Sequence, residues 1–252
     1  MGSSRDTLKS YEGSSAMKIG ILKADSVMPA LQEQHGDYSD MFTSLFLTVD
    51  PRCEIAIYEV EHGQYPADID DCNGYLITGS KRSVYEDEAW IQALGEFVQR
   101  LHELKKPLVG ICFGHQLVAQ YLGGKTEKSD KGWGVGRHET RLCGARITAA
   151  GTATRFALLS SHQDQVTHLP DDAEIIAESD FCPIAGMQIA DHILTFQGHP
   201  EFDEAYARAL LEIRRPQVGE QTYSKALASL NESSDQRAVA SWILAFLDSG
   251  VR

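Results

Sequence analysis

Cys112 stands between two glycines in the run Pro107-Leu108-Val109-Gly110-Ile111-Cys112-Phe113-Gly114-His115-Gln116. An apolar strand-like stretch leads into the cysteine, and the helical spacing of Leu117, Val118, Tyr121 and Leu122 follows it. This is the cysteine form of the G-x-S-x-G nucleophile elbow, a sharp turn from strand to helix that exposes the reactive atom. Such a turn strains the backbone and brings neighbouring chain close, so the flanking positions have no room for side chains. The helix would aim its N-terminus, the end that favours anions, at the sulfur. The Phe113 N–H would then face a developing oxyanion. A lone G-x-C-x-G also fits a buried structural cysteine in a β–α turn.

A thiol nucleophile needs a base, and the base needs an acceptor on its other ring nitrogen. Both are offered far downstream in Phe196-Gln197-Gly198-His199-Pro200-Glu201, where the apolar run 193–196 delivers His199 and then Glu201. Pro200 fixes its own φ and biases His199 to an extended backbone. His-Pro-Glu alone is also a common way for a strand to end. With the elbow in the same chain, it makes Cys112, His199 and Glu201 a candidate catalytic triad.

Four blocks then stand in order: Leu76-Ile77-Thr78-Gly79-Ser80, Gly110 to Gln116, Ser161-His162-Gln163-Asp164-Gln165-Val166, and Gln197-Gly198-His199-Pro200-Glu201. With them the chain, from Met17 onward, resembles the class I glutamine amidotransferases, a family with a Cys-His-Glu triad. Gly36-Asp37-Tyr38 before Met41-Phe42, and Tyr85-Glu86-Asp87 before Trp90-Ile91, are similar to bacterial stand-alone members and to the plant γ-glutamyl peptidases. The resemblance implies an oxyanion hole from Gly79 and Phe113. It also implies substrate contacts from Ser80, Gln116, Ser161 and His162, for the last of which a turn histidine is the alternative. The expected reaction is hydrolysis of the γ-glutamyl amide of glutamine through a Cys112 thioester, releasing glutamate and ammonia. The alternatives are a γ-glutamyl peptidase acting on glutathione-like compounds and a non-catalytic binding or regulatory relative. No metal or organic cofactor is expected. The expected partners are glutamine or another γ-glutamyl amide and, if ammonia leaves, a separate ATP-dependent synthetase, because the chain has no G-x-x-x-x-G-K-[ST] loop.

The elements that must hold these residues alternate. Apolar, β-rich runs fall at 19–22, 55–60, 75–78, 108–112, 157–159, 175–177, 187–189 and 193–196, with helical patterns between the early ones. The clearest helix places Trp90, Ile91, Leu94, Phe97, Val98, Leu101 and Leu104 on one face, with acids before it, Lys105 and Lys106 after it, and Pro107 as its stop. Such alternation predicts an α/β fold, an open and mostly parallel flavodoxin-like sheet flanked by helices. Working residues of such sheets gather at the carboxyl ends of strands, where Gly79, Cys112 and His199 all fall. The closely spaced later strands leave room for antiparallel hairpins. Residues 128–134 are expected to form a mobile loop that borders the pocket. A last helix joins Val239, Trp242, Ile243, Phe246 and Leu247 as core packing.

The chain has 252 residues, 42% apolar, which suits one large domain over 17–252. Residues 1–16 are polar and lack the apolar core of a secretory signal. Either Met17 is the natural start and the leader an addition, or the leader is disordered. A net charge of −13 argues against nucleic acid or an anionic membrane as partner. Five cysteines without paired spacing predict free thiols and a cytoplasmic location.

Overall fold

The computed structural model describes residues 16–143 and 150–249. The leader expected over residues 1–16 lies, but for Ala16, outside them. In chain order the elements are β1 (Lys18–Lys23), α1 (Pro29–His35), α2 (Tyr38–Val49), β2 (Glu54–Glu59), β3 (Gly74–Ile77), α3 (Ala89–Glu103), β4 (Leu108–Ile111) and α4 (Phe113–Tyr121). Then follow β5 (Lys125–Lys128), β6 (Gly134–Leu142), β7 (Arg155–His162), β8 (Asp164–His168), β9 (Ala173–Glu178), β10 (Gly186–Ile189), β11 (Ile193–Phe196), α5 (Glu204–Val218), α6 (Glu220–Ser229) and α7 (Gln236–Ser249).

Among the described residues, nine strands form one sheet in the order β2-β1-β3-β4-β11-β10-β9-β6-β7, and β5 pairs with β8 apart from it. From β2 to β11 neighbours run parallel. From β11 to β7 they are antiparallel. β4 and β11 are adjacent, with Ile111 opposite Phe196. The two segments that carry Cys112 and His199 therefore leave the sheet side by side.

Strand periodicity explains how helices cover both faces, because alternate side chains point to opposite sides. Ile19, Ile21, Leu76, Val109 and Ile111 pack on one side with Phe42 and Phe46 of α2 and Val239, Trp242, Ile243 and Leu247 of α7. Their neighbours Leu22, Tyr75, Ile77 and Leu108 point the other way, onto Ile91, Leu94 and Val98 of α3 and Leu117 of α4. A third cluster joins Leu31, Val135, Leu159, Phe202, Tyr206 and Leu210, where α1 and α5 close over the antiparallel half of the sheet. No described helix is long and apolar enough to cross a membrane.

Strands β5, β6 and β8 lie where no apolar run marks them. β6 reads GVGRHETRL and β8 reads DQVTH, so few of their positions are apolar. They are strands through pairing, β6 against the full length of β7 and β8 against β5.

Candidate active site

β4 ends at Ile111, and the chain reverses at Cys112 with φ 52° and ψ −98° before α4 begins at Phe113. Positive φ is unfavourable for a residue with a side chain. Close packing on both sides holds it there. A Cβ on Gly110 would lie 2.6 Å from the carbonyl carbon and oxygen of Gly114. One on Gly114 would lie 2.6 Å from the Ile77 carbonyl oxygen. The two flanking glycines thus let the turn fold onto itself and onto β3. The Cys112 N–H donates to the Phe196 carbonyl at 2.9 Å, tying the turn to β11. Phe113 opens α4, and the first N–H groups of a helix have no partner within it.

His199 follows β11. Its N–H donates to the Leu159 carbonyl at 2.8 Å, so β7 fixes its backbone. Its Nδ1 lies 2.7 Å from Glu201 Oε1, and both side chains are buried. The imidazole and the Cys112 side chain both lie against Gly79, close enough to interact electrostatically. Burial opposes the imidazolium, but the Glu201 carboxylate and Cys112 outweigh it and carry His199 up to about 10. Nδ1 is therefore the donor to Glu201. Gly79 closes the group: a Cβ there would lie 2.9 Å from His199 Cε1 and 3.7 Å from Cys112 Cβ. Cys112, His199, Glu201, Gly79 and Phe113, separated by up to 122 positions in sequence, meet at the carboxyl ends of β3, β4 and β11.

Beside the sulfur lies a cavity of about 240 Å³, and Ser80, Gln116, Ser161 and His162 all line it with Cys112. Their polar atoms are already engaged. Ser80 Oγ donates to Asp25 Oδ2 at 3.3 Å. Gln116 Nε2 donates to the Asp164 carbonyl at 2.8 Å and to Gln197 Oε1 at 3.2 Å. Ser161 Oγ accepts from Arg214. His162 Nδ1 lies 3.0 Å from the Asp164 carbonyl, and burial pushes the ring down to about 3, so it is neutral and donates there. His162 thus braces its own turn as well as walling the cavity. His115, one turn into α4, is a core residue between Thr195 and the Ile184 carbonyl, held neutral by burial at about 4.

Several residues that sequence reasoning did not single out also shape the site. Phe202 stacks on His199. Gln197 points Nε2 at Cys112 Sγ, 3.6 Å away. Asp25 holds the Lys81 N–H at 2.9 Å and its ammonium at 2.8 Å. Trp133, in the expected loop, and Arg214 of α5 both line the cavity. Gln197 was within reach, standing in the same short block as His199. Arg214 sits on a helix with no motif around it.

Comparison with known proteins places these features in a wider setting. The family model described as Glutamine amidotransferase class-I matches residues 45–211. Gamma-glutamyl peptidase 3 of Arabidopsis thaliana is 31% identical over 182 residues, 69% of this chain and 72% of that protein. A glutamine amidotransferase-like protein of Schizosaccharomyces pombe is 31% identical over 91% of this chain and 98% of its own. The crystal structure of a glutamine amidotransferase from Thermotoga maritima has the same fold, with a TM-score of 0.73 at 15% identity, covering 95% of this chain and 100% of that one.

Proposed function

This chain belongs to the class I glutamine amidotransferase family, and from that membership we propose that it hydrolyses γ-glutamyl amide bonds through a Cys112 thioester. The observation that carries the reading is His199 set between Glu201, at 2.7 Å, and the sulfur of a strained strand-to-helix turn. His199 takes the thiol proton and keeps it as an imidazolium, which Glu201 stabilises. The thiolate attacks the γ-carbonyl carbon. The tetrahedral oxyanion is met by the N–H groups of Phe113 and Gly79, each worth roughly 3–4 kcal/mol in such sites. His199 gives its proton to the departing nitrogen, the C–N bond breaks, and a γ-glutamyl thioester remains. Water, deprotonated by His199, attacks the thioester and releases glutamate and the thiol.

Glutamine is the smallest substrate this sequence of steps accepts, and ammonia then leaves, for use by a separate ATP-dependent synthetase. A second reading, release of an amino acid or peptide, is favoured by the likeness to a plant protein named as a γ-glutamyl peptidase. The two share every step and differ in the amine that departs. An intact Cys112, His199 and Glu201 weighs against a purely binding or regulatory role.

The test is glutamate release from glutamine and from γ-glutamylglycine, with Cys112→Ser as control and intact-mass detection of the acyl-enzyme. Release that depends on Cys112, with an acyl adduct on the wild-type chain, is the expected result. Release from either substrate that survives Cys112→Ser, or no release from both, would sink the reading.

A further inference from the structure

Three cationic side chains line the cavity beside Cys112, in a chain whose net charge is −13. Two are neutralised locally. Lys81 pairs with Asp25 at 2.8 Å, and Arg82 pairs with Glu86 at 3.1 Å and Glu88 at 3.6 Å. The third, Arg214, makes no ion pair among the described residues. Its guanidinium is nevertheless fixed. Nη1 donates to the Ser161 carbonyl at 3.0 Å and to Ser161 Oγ at 2.6 Å, and the group lies over the Trp133 ring, 5.3 Å from its centre. One nitrogen is thus committed to anchoring. The rest of the planar fork keeps donors suited to a carboxylate.

The anchor also sets where this charge sits relative to the chemistry. Leu159 and Ser161 are two residues apart on β7. Leu159 holds the His199 backbone, and Ser161 holds Arg214. Two residues of strand span roughly 7 Å. Arg214 is therefore mounted beside the imidazole that protonates the departing nitrogen. An amino acid leaving group carries its carboxylate one carbon from that nitrogen, and a hydrogen bond of about 3 Å at each end, to the imidazole and to the guanidinium, makes up the rest of the interval.

We propose that Arg214, braced by Trp133 and Ser161, is the specificity-determining residue for the leaving side of the substrate. It reads a free carboxylate on the departing amine. The favoured substrates are then γ-glutamyl amino acids and peptides with a carboxylate near the scissile bond, in preference to glutamine. The assignment rests on the thioester reading of Cys112 given above.

The test compares two substrates with the same kind of scissile bond, γ-glutamylglycine and γ-glutamylmethylamide, which lacks the carboxylate. The ratio of their kcat/KM values is measured for the wild type, Arg214→Met and Arg214→Lys. The methionine keeps an apolar stem on Trp133, and the lysine keeps the charge. The wild type is expected to prefer γ-glutamylglycine. Arg214→Met is expected to lower the ratio about tenfold or more, mainly through KM of the glycine compound, the loss of one charge-assisted contact. Arg214→Lys is expected to restore part of it, which a purely structural arginine would not allow. A ratio unchanged in Arg214→Met overturns the proposal. So does an equal loss on both substrates, which would mean that Arg214 serves the glutamyl end. Calorimetric binding of the same two compounds to Cys112→Ser, with and without Arg214→Met, separates the two claims. If the wild type hydrolyses glutamine but neither of these compounds, the thioester reading stands and the Arg214 proposal is overturned; if it hydrolyses none of the three, the thioester reading fails. The binding difference then still decides for Arg214 if it depends on the arginine, and against it if it does not.

Discussion

The His199 imidazole stacks on the Phe202 ring, with centroids 3.8 Å apart and planes 7° from parallel. Phe202 is in turn gripped edge-on by Tyr206 at 4.7 Å and flanked by Tyr38 at 6.2 Å. The His199 ring therefore rests on an aromatic stack reaching into α5 and α2. Glu201 fixes the imidazole in its plane, and Phe202 fixes the tilt of that plane.

A protonated imidazole over an aromatic face gains about 0.5–2 kcal/mol. Phe202→Leu removes that face and leaves a partial cavity. The His199 imidazolium should lose its proton at lower pH, so the alkaline limb of kcat/KM moves down by roughly one unit. Turnover should fall about tenfold, from loss of ring orientation. Phe202→Tyr, which keeps the ring, should retain most of both. A pH–rate profile on γ-glutamylglycine that is unchanged in Phe202→Leu would contradict this role.

Glu201→Gln removes the carboxylate that most raises His199. The ring's pKa should drop from about 10 towards the ordinary value, and kcat should fall by at least about tenfold as the imidazolium loses its partner. The stability sign follows from the same shift. A group raised on folding contributes fully below its unfolded pKa and loses that contribution as pH rises through its folded one. The wild type should therefore lose this contribution between about 6.5 and about 10, and Glu201→Gln should be flatter across that window. Urea midpoints at pH 6, 8 and 10 would check it, and equal slopes for the two proteins would refute it.

Gly114→Ala tests the elbow as a packing problem. Its Cβ would meet the Ile77 carbonyl at 2.6 Å and Ile77 Cβ at 2.8 Å. Both are parts of β3 and neither can swing aside. The cost should be about 3 kcal/mol or more, lowering the melting temperature by roughly 6–12 °C. Gly151→Ala is the contrast, since no described residue lies within 4 Å of its Cβ and its φ of 59° is what opposes the change. Thermal melts that rank the two the other way would show that the elbow yields.

How much of this was legible in the sequence depended on what kind of signal each part left. The elbow was readable because three constraints coincide in five residues: a close approach on each side and a reactive atom between. His199 and Glu201 were readable because Pro200 links them in a short block after an apolar strand. β6 was not, since its exposed, charged positions carry no apolar alternation and its strand form comes from pairing with β7. Arg214 was not, because nothing local distinguishes a helix arginine that anchors on Ser161 from one in solvent. Gln116 and His162 were located at the cavity, but the sequence could not tell that their side chains were occupied with the Asp164 carbonyl.

Lys23 ends β1 beneath the site, and its ammonium is buried between Asp37 at 2.7 Å and Glu59 at 2.9 Å. Asp37 has further duties: it caps α2 and accepts from the Val27 N–H at 2.8 Å, holding the loop that carries Asp25. Burial works against its charge, but the Lys23 hydrogen bond and the Val27 and Tyr38 N–H groups prevail and hold it below the usual carboxylate value. Its contribution to stability is thus present above about 3.8 and is lost as pH falls through the depressed folded value. Lys23→Met leaves that carboxylate buried without its cation and should cost about 3–5 kcal/mol at pH 7. Glu59 is partly exposed, so water takes up its charge. Asn at position 37 can still cap α2. The double variant Lys23→Met with Asp37→Asn should therefore recover a substantial part of the loss, and its stability should depend less on pH below 4 than that of the wild type. Urea titrations of the three proteins at pH 3, 5 and 7 decide the matter. If the double variant were less stable than Lys23→Met alone, the cost would lie in the Asp37 cap and not in an unpaired buried charge.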